Sequence, residues 1–209
     1  MGKIKAGILS PVSGKIGGVV GGKWKDQAYL RSFVIPANPR SADQTIQRNL
    51  FGKCVDFAKP IVGPVFNVYT DKFQPKMSGF NFFVKRNITL FTASPTYSGV
   101  KITEGKLFLE SGAVASFGTS PGQVLVTFNE GLGNNGRETD KIYAVGYNAT
   151  KNLWGFPSAP VTRVAGEIDV NIAWSQADVI HIYLLAAQYN DGILALISSS
   201  QYMLATYSI

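Results

Sequence analysis

The second half of the chain limits the fold most. From residue 99 onward, short apolar runs alternate with turn signals, and no stretch of helical spacing separates them. Residues 107–109 (LFL) and 124–128 (VLVTF) read as strands, and residues 130–137 (EGLGNNGR) as a flexible loop. Residues 141–147 alternate Ile142, Ala144 and Gly146 with Tyr143, Val145 and Tyr147. Residues 153–156 and 167–174 are further short strands, and residues 178–188 are strongly apolar. Asn190-Asp191-Gly192 is a hairpin turn before a last strand over residues 193–204. About seven short strands with regular turns predict an immunoglobulin- or fibronectin-like antiparallel β-sandwich. Parallel strands would need crossover helices between them.

The first half reads differently. Residues 14–48 hold glycines, a Trp, a basic cluster, two prolines and a helix start in one run. Gly17, then Gly22 and Lys23, match most of a phosphate-binding loop. That loop needs Ser or Thr after the Lys and a helix beyond it. Here Trp24 follows, and the next residues have strand character. The dinucleotide pattern fails too, because Ile16 stands where its first glycine belongs. Glycines in a strand instead mark bends or close backbone approach.

Residues 1–13 read as an extended basic arm, and residues 19–33 as a β-hairpin turning at Asp26 and Gln27. A lone hairpin is marginal and needs another surface. Pro36 and Pro39 hold an extended linker. Ser41 with Gln44 fits a capping box, opening a helix whose apolar side is Ile46, Leu50, Val55 and Phe57 or Ala58, and which ends near Pro60. Helical stretches follow over residues 61–73, broken at Gly63-Pro64, and after Ser78. Residues 92–99 have linker composition. The fold class expected is therefore α+β: an N-terminal arm, hairpin and helical domain over residues 1–98, then the sandwich over residues 99–209.

Composition narrows the chemistry. With 209 residues, 45% hydrophobic and 16% charged, a packed core is expected. Cys54 is the single cysteine and His181 the single histidine, which excludes a disulfide within the chain and metal centres built from several His or Cys. No signal peptide or long apolar span is apparent, so a cytoplasmic site of synthesis is expected. Residues 1–98 carry 10 Lys and 4 Arg against 4 Asp, whereas residues 99–209 carry 4 Lys and 2 Arg against 9 acids. Such asymmetry points to a polar assembly or a polyanion partner.

No group of side chains has the spacing of a catalytic site. His181 lies in an apolar strand; if Ile180, Ile182 and Leu184 face inward, His181 faces out, with no nucleophile beside it. Cys54 is expected to pack as a small apolar side chain. No carboxylate pattern marks calcium or glycoside hydrolysis. Asn87-Ile88-Thr89 and Asn148-Ala149-Thr150 match glycosylation acceptors but read as incidental. No enzyme, cofactor or metal is expected.

The run from Gly17 to Arg48, with Gly17-Gly18 before Val19-Val20-Gly21-Gly22-Lys23-Trp24-Lys25, then Tyr29-Leu30-Arg31-Ser32, then Pro36-Ala37-Asn38-Pro39-Arg40, Ser41 to Gln44 and Gln47-Arg48, resembles a family of uncharacterised proteins from Bacteroidetes and their tailed bacteriophages, including crAss-like phages. The family pattern has glycine where this chain has Asp26. The resemblance covers about 35 residues and implies a virion structural protein (a neck or tail ring, or a capsid auxiliary subunit), with no catalytic residues to carry over. Assembly as a homo-oligomer with other virion proteins is then expected through the N-terminal half, with Trp24, Tyr29, Arg31 and Arg40 at the contact, since Trp, Tyr and Arg dominate interface energetics. A binding module is the alternative. In it the basic half sits on nucleic acid such as packaged DNA, or Trp154, Tyr147 and Tyr143 form an exposed carbohydrate platform. No membrane contact is expected.

Overall fold

The computed structural model describes residues 2–4, 13–25, 27–38, 40–73, 77–118 and 122–206. Contacts divide the chain into two units, Met1–Ala42 and Asp43–Ile209. The boundary expected between residues 98 and 99 falls inside the second unit, because the helices there share a core with the strands that follow.

The first unit is a four-stranded antiparallel sheet. Its strands are β1 (Gly2–Ile4), β2 (Gly14–Ile16), β3 (Val19–Trp24) and β4 (Gln27–Ser32), in the order β1-β4-β3-β2. The expected hairpin is thus its centre, and part of the expected arm is its edge strand β1. Gly17, at φ +57°, opens the two-residue loop between β2 and β3, a conformation glycine adopts without a Cβ penalty. Gly22 and Lys23 sit within β3 and no helix follows, so the phosphate-loop context is missing. Of the expected β3–β4 turn, Gln27 already belongs to β4, while Asp26 lies outside the described residues, as do Pro39 and most of the arm.

The second unit opens with α1 (Ala42–Ala58), which begins one residue after Ser41 and ends before Pro60. Pro60 has no N–H to extend the ladder. The apolar side expected of this helix holds only at its end. Cys54, Phe57 and Ala58 are buried, whereas Ile46 is 58% exposed. A π-helical segment, Val62–Thr70, buries Val65, Phe66 and Tyr69. Then α2 (Gly79–Asn87) starts at Ser78, whose hydroxyl accepts from the Asn81 amide at 3.3 Å, and buries Phe83 and Val84.

Two antiparallel sheets follow. The smaller holds β5 (Val114–Phe117), β6 (Gln123–Thr127) and β10 (Glu167–Asn171), in the order β10-β6-β5. The larger holds β7 (Lys141–Asn148), β8 (Leu153–Gly155), β9 (Val161–Thr162), β11 (Ile180–Asn190), β12 (Ile193–Ile197) and β13 (Gln201–Leu204), with β11 and β7 at its centre. The fold is α+β with an antiparallel β-sandwich. In place of the strand expected over residues 107–109, Lys106 and Leu107 make isolated bridges to Ser198. The expected last strand is two, β12 and β13, both paired to β11.

Alternation explains the layering. Ile142 and Ala144 of β7, with Ile180, Ile182, Leu184 and Ala186 of β11, pack against β5, β6 and β10. Their neighbours Tyr143, Val145, Tyr147, Tyr183, Leu185 and Ala187 point the other way, into a core shared with α1, the π-helical segment and α2. Both faces of the central strands are therefore covered, one by a sheet and one by helices.

That layering overturns three expectations. His181 is buried, with Nδ1 at 2.9 Å from the Tyr202 hydroxyl, rather than facing solvent. The carbohydrate platform does not exist. Tyr143 and Tyr147 are buried, and Trp154 packs edge-on to Phe57 at 4.6 Å. Residues 92–99 are no linker, since Tyr97 joins the aromatic cluster and its carbonyl accepts from the Tyr183 hydroxyl at 2.9 Å. Both glycosylation-type asparagines are also buried and engaged: Asn87 bonds Phe83 and Lys101, and Asn148 bonds Ala173 and Asp178. Cys54 packs in the core as expected.

Candidate interaction surface

The first unit has almost no interior of its own. Among the residues of this unit whose burial is described, only Gly21 is buried. Trp24 is 68% exposed and Ile35 79%. A unit of this size ordinarily needs a disulfide, a metal or a partner to compensate for so little buried area. Cys54, the single cysteine, lies in the other unit. An exposed sheet with apolar and aromatic residues on it is a candidate interaction surface.

The register sorts the candidate residues. Val20 pairs with Arg31 and Lys15, Gly22 with Tyr29, and Trp24 with Gln27. Directly opposed residues share a face, so Trp24, Tyr29 and Arg31 lie together, with Lys15 and Val20. Phe33 follows Arg31 at the same parity, and the Lys15 ammonium stands 3.8 Å from its ring centroid. The Phe33 amide donates to the Gly18 carbonyl at 2.8 Å, which carries the pairing one step past β4. Arg40 is not part of this group. It lies beyond the sheet, exposed, at φ +47°.

A glycine makes room on this face. A Cβ on Gly22 would stand 2.9 Å from both Cζ and Oη of Tyr29, so the Tyr ring leans across the space a side chain would fill. The opposite face carries Ile16, Val19, Ala28 and Leu30, with Lys23 at one end. Sequence reasoning named Trp24, Tyr29 and Arg31 but missed Lys15 and Phe33. The signal was available in the alternation along the hairpin, once its register is known.

Charge is concentrated here. Residues 1–42 contain seven Lys and Arg against the single Asp26, and the rest of the chain contains thirteen against twelve acids. Nearly all of the net +7 thus belongs to the first unit.

Residues 11–203 match a family of unknown function, DUF6266. The chain belongs to that family. The match spans both units, so the exposed sheet and the sandwich are parts of one DUF6266 architecture. No curated protein and no solved structure matches the chain.

The second unit of this DUF6266 chain offers a groove of about 530 Å³ beside α1, lined by Ile46, Leu50, Lys53, Asp56, Phe91 and Ala93. It adjoins a smaller one of about 350 Å³, against Phe57, Tyr97 and Tyr147. The Lys53 ammonium is already committed to the Thr92 carbonyl at 2.9 Å. Among the described residues, no three His, Cys, Asp or Glu side chains converge as metal ligands, and no helix is long and apolar enough to cross a membrane. Burial pushes the Cys54 thiol up to about 11 and the His181 imidazole down to about 4. Both shifts favour the uncharged form, which suits packing rather than chemistry.

Proposed function

We propose that the protein is a structural subunit of a bacteriophage particle, joined to its neighbours through the N-terminal sheet. One observation carries this reading: a four-stranded sheet with Gly21 as its one buried described residue. Sheets gain stability by covering a hydrophobic face, and the described residues of this one are half-buried or exposed apart from Gly21. The resemblance of residues 17–48 to a family from Bacteroidetes and their tailed bacteriophages supports the particle.

Light scattering on the full chain and on a chain starting at Asp43 tests the assembly. The second unit has two hydrophobic cores of its own, so the truncated chain is expected to fold. An oligomer that becomes a monomer on truncation is the expected result, and a monomer in both forms refutes assembly through the sheet. Mass spectrometry of purified particles tests the particle assignment, which fails if the chain is absent from particles of a phage that encodes it.

A further inference from the structure

We infer that the face of the N-terminal sheet bearing Lys15, Trp24, Tyr29, Arg31 and Phe33 binds single-stranded nucleic acid. This rests on the reading of the sheet as a contact element and divides its two faces between two partners.

Along a strand, residues on one face recur every ~6.8 Å, two steps of about 3.4 Å. Phe33, Arg31 and Tyr29 stand at successive positions of this kind, and Trp24 occupies the next row, opposite Gln27. Rings and a guanidinium at that repeat match the spacing over which a stretched, unstacked strand presents its bases. Exposed aromatic rings on a basic surface are the usual platform for such a strand, because every base has a π-face. Trp24 is 68% exposed, so its ring is open to stacking. Tyr29 is held over Gly22, where any side chain would displace it.

Charge selects the partner. Lys15 and Arg31 lie on this face, and Lys25 places its ammonium 5.8 Å from the Trp24 ring. No described residue of the first unit is acidic. A second copy of the same face would set Lys15 and Arg31 against their equivalents, and like charges opposed in this way are destabilising. A phosphate backbone instead gains from every cation and releases counterions. Duplex nucleic acid keeps its base faces stacked inside, which leaves the rings nothing to stack on. The opposite face, with Ile16, Val19, Ala28 and Leu30, has the aliphatic character suited to a neighbouring subunit.

The test is fluorescence anisotropy of labelled oligo-dT, oligo-rU and a duplex with the full-length protein, alongside light scattering of the same samples. Single strands are expected to bind more tightly than duplex, with log affinity falling against log salt at about −0.7 per phosphate contacted. Trp24→Ala is expected to weaken single-strand binding about tenfold, and Arg31→Glu at least as much. Trp24→Phe and Arg31→Lys are expected to retain most of it, which separates lost contacts from a lost fold. Comparison of oligo-dT with oligo-rU distinguishes a DNA source from an RNA one. Val19→Asp is expected to reduce the oligomer and leave the binding.

The inference is overturned if the wild-type protein binds neither oligomer, if duplex binds as well as single strands, or if Trp24→Ala and Arg31→Glu bind normally. It is overturned in favour of a lipid surface if phosphatidylserine vesicles are bound and the oligomers are not. Strand binding by a protein that is monomeric at every concentration upholds the inference and refutes assembly. An oligomer that binds no strand does the reverse.

Discussion

Arg163 and Asp140 meet at 3.2 Å with both side chains fully buried. The guanidinium also donates to the carbonyls of Gly131 at 2.9 Å and Phe108 at 2.7 Å. Asp140 accepts from the Gln188 amide at 3.1 Å and from the Arg137 backbone at 2.8 Å. The pair therefore ties residues 130–137, which read as a free loop in the sequence, to the segment around Phe108 and to β11. Removing one partner strands a charge in the core, at a cost of about 3–5 kcal/mol. Arg163→Met should lower the unfolding free energy measured in urea by that amount. The double variant Asp140→Leu with Arg163→Met should recover part of the loss, because no lone charge remains. A double variant no more stable than Arg163→Met would show that the bonds to Gly131 and Phe108 matter more than the ion pair.

His181 should make stability depend on mild acid. Burial lowers its folded value from 6.5 to about 4, so below about 6.5 the unfolded chain takes up a proton that the folded chain refuses. Stability therefore falls as pH drops from 6.5 towards 4 and levels off beneath that. A shift from 6.5 to about 4 bounds the loss at about 3 kcal/mol. His181→Phe should flatten the profile across this window in chemical denaturation. Asp178 acts at lower pH. Its hydrogen bonds with Lys151 and Asn148 hold its carboxyl well below the usual range, so its contribution is present above about 4 and is lost on further acidification.

Cys54 should be chemically silent in the folded protein. Its side chain is fully buried and its thiol is raised to about 11, so little thiolate forms near neutrality. A thiol reagent should react only as fast as the protein opens, and in denaturant it should react at once. Fast labelling of the native protein would mean that α1 separates readily from the core.

Gly22→Ala should act on the Tyr29 ring and spare the second unit. The added Cβ would lie 2.9 Å from the ring, whose far end can swing away. The expected result is single-strand binding weakened several-fold in the full-length chain, with the melting transition of the second unit unchanged. Unchanged binding would show that Tyr29 contributes nothing at its observed position.

Much of the fold was legible locally. Strands β6, β7, β8, β10 and β11 lie close to where alternation puts them. The turn at Asn190-Asp191-Gly192 is confirmed by φ values of +50° and +77° at its last two residues. Ser78 caps α2, and α1 begins directly after Ser41. These features depend on residues within one turn or one strand. Three of the four candidate contact residues also share a face, since alternation within a hairpin is a local property.

Other features were decided by packing. The alternation of β7 and β11 shows which residues share a face, but it does not say what covers each face. Helices cover one and a second sheet the other, so Tyr143, Tyr147 and His181 became core residues instead of an exposed row. For the same reason residues 92–99, linker-like in composition, joined the aromatic cluster through Tyr97, and the Arg163–Asp140 pair closed over 23 residues. The sequence by itself determined the period and the turns of each element, because sterics and hydrogen bonding along the chain act over a few residues. Only the tertiary structure decided which faces lost their water, because burial is set by whichever distant segment comes to lie against them.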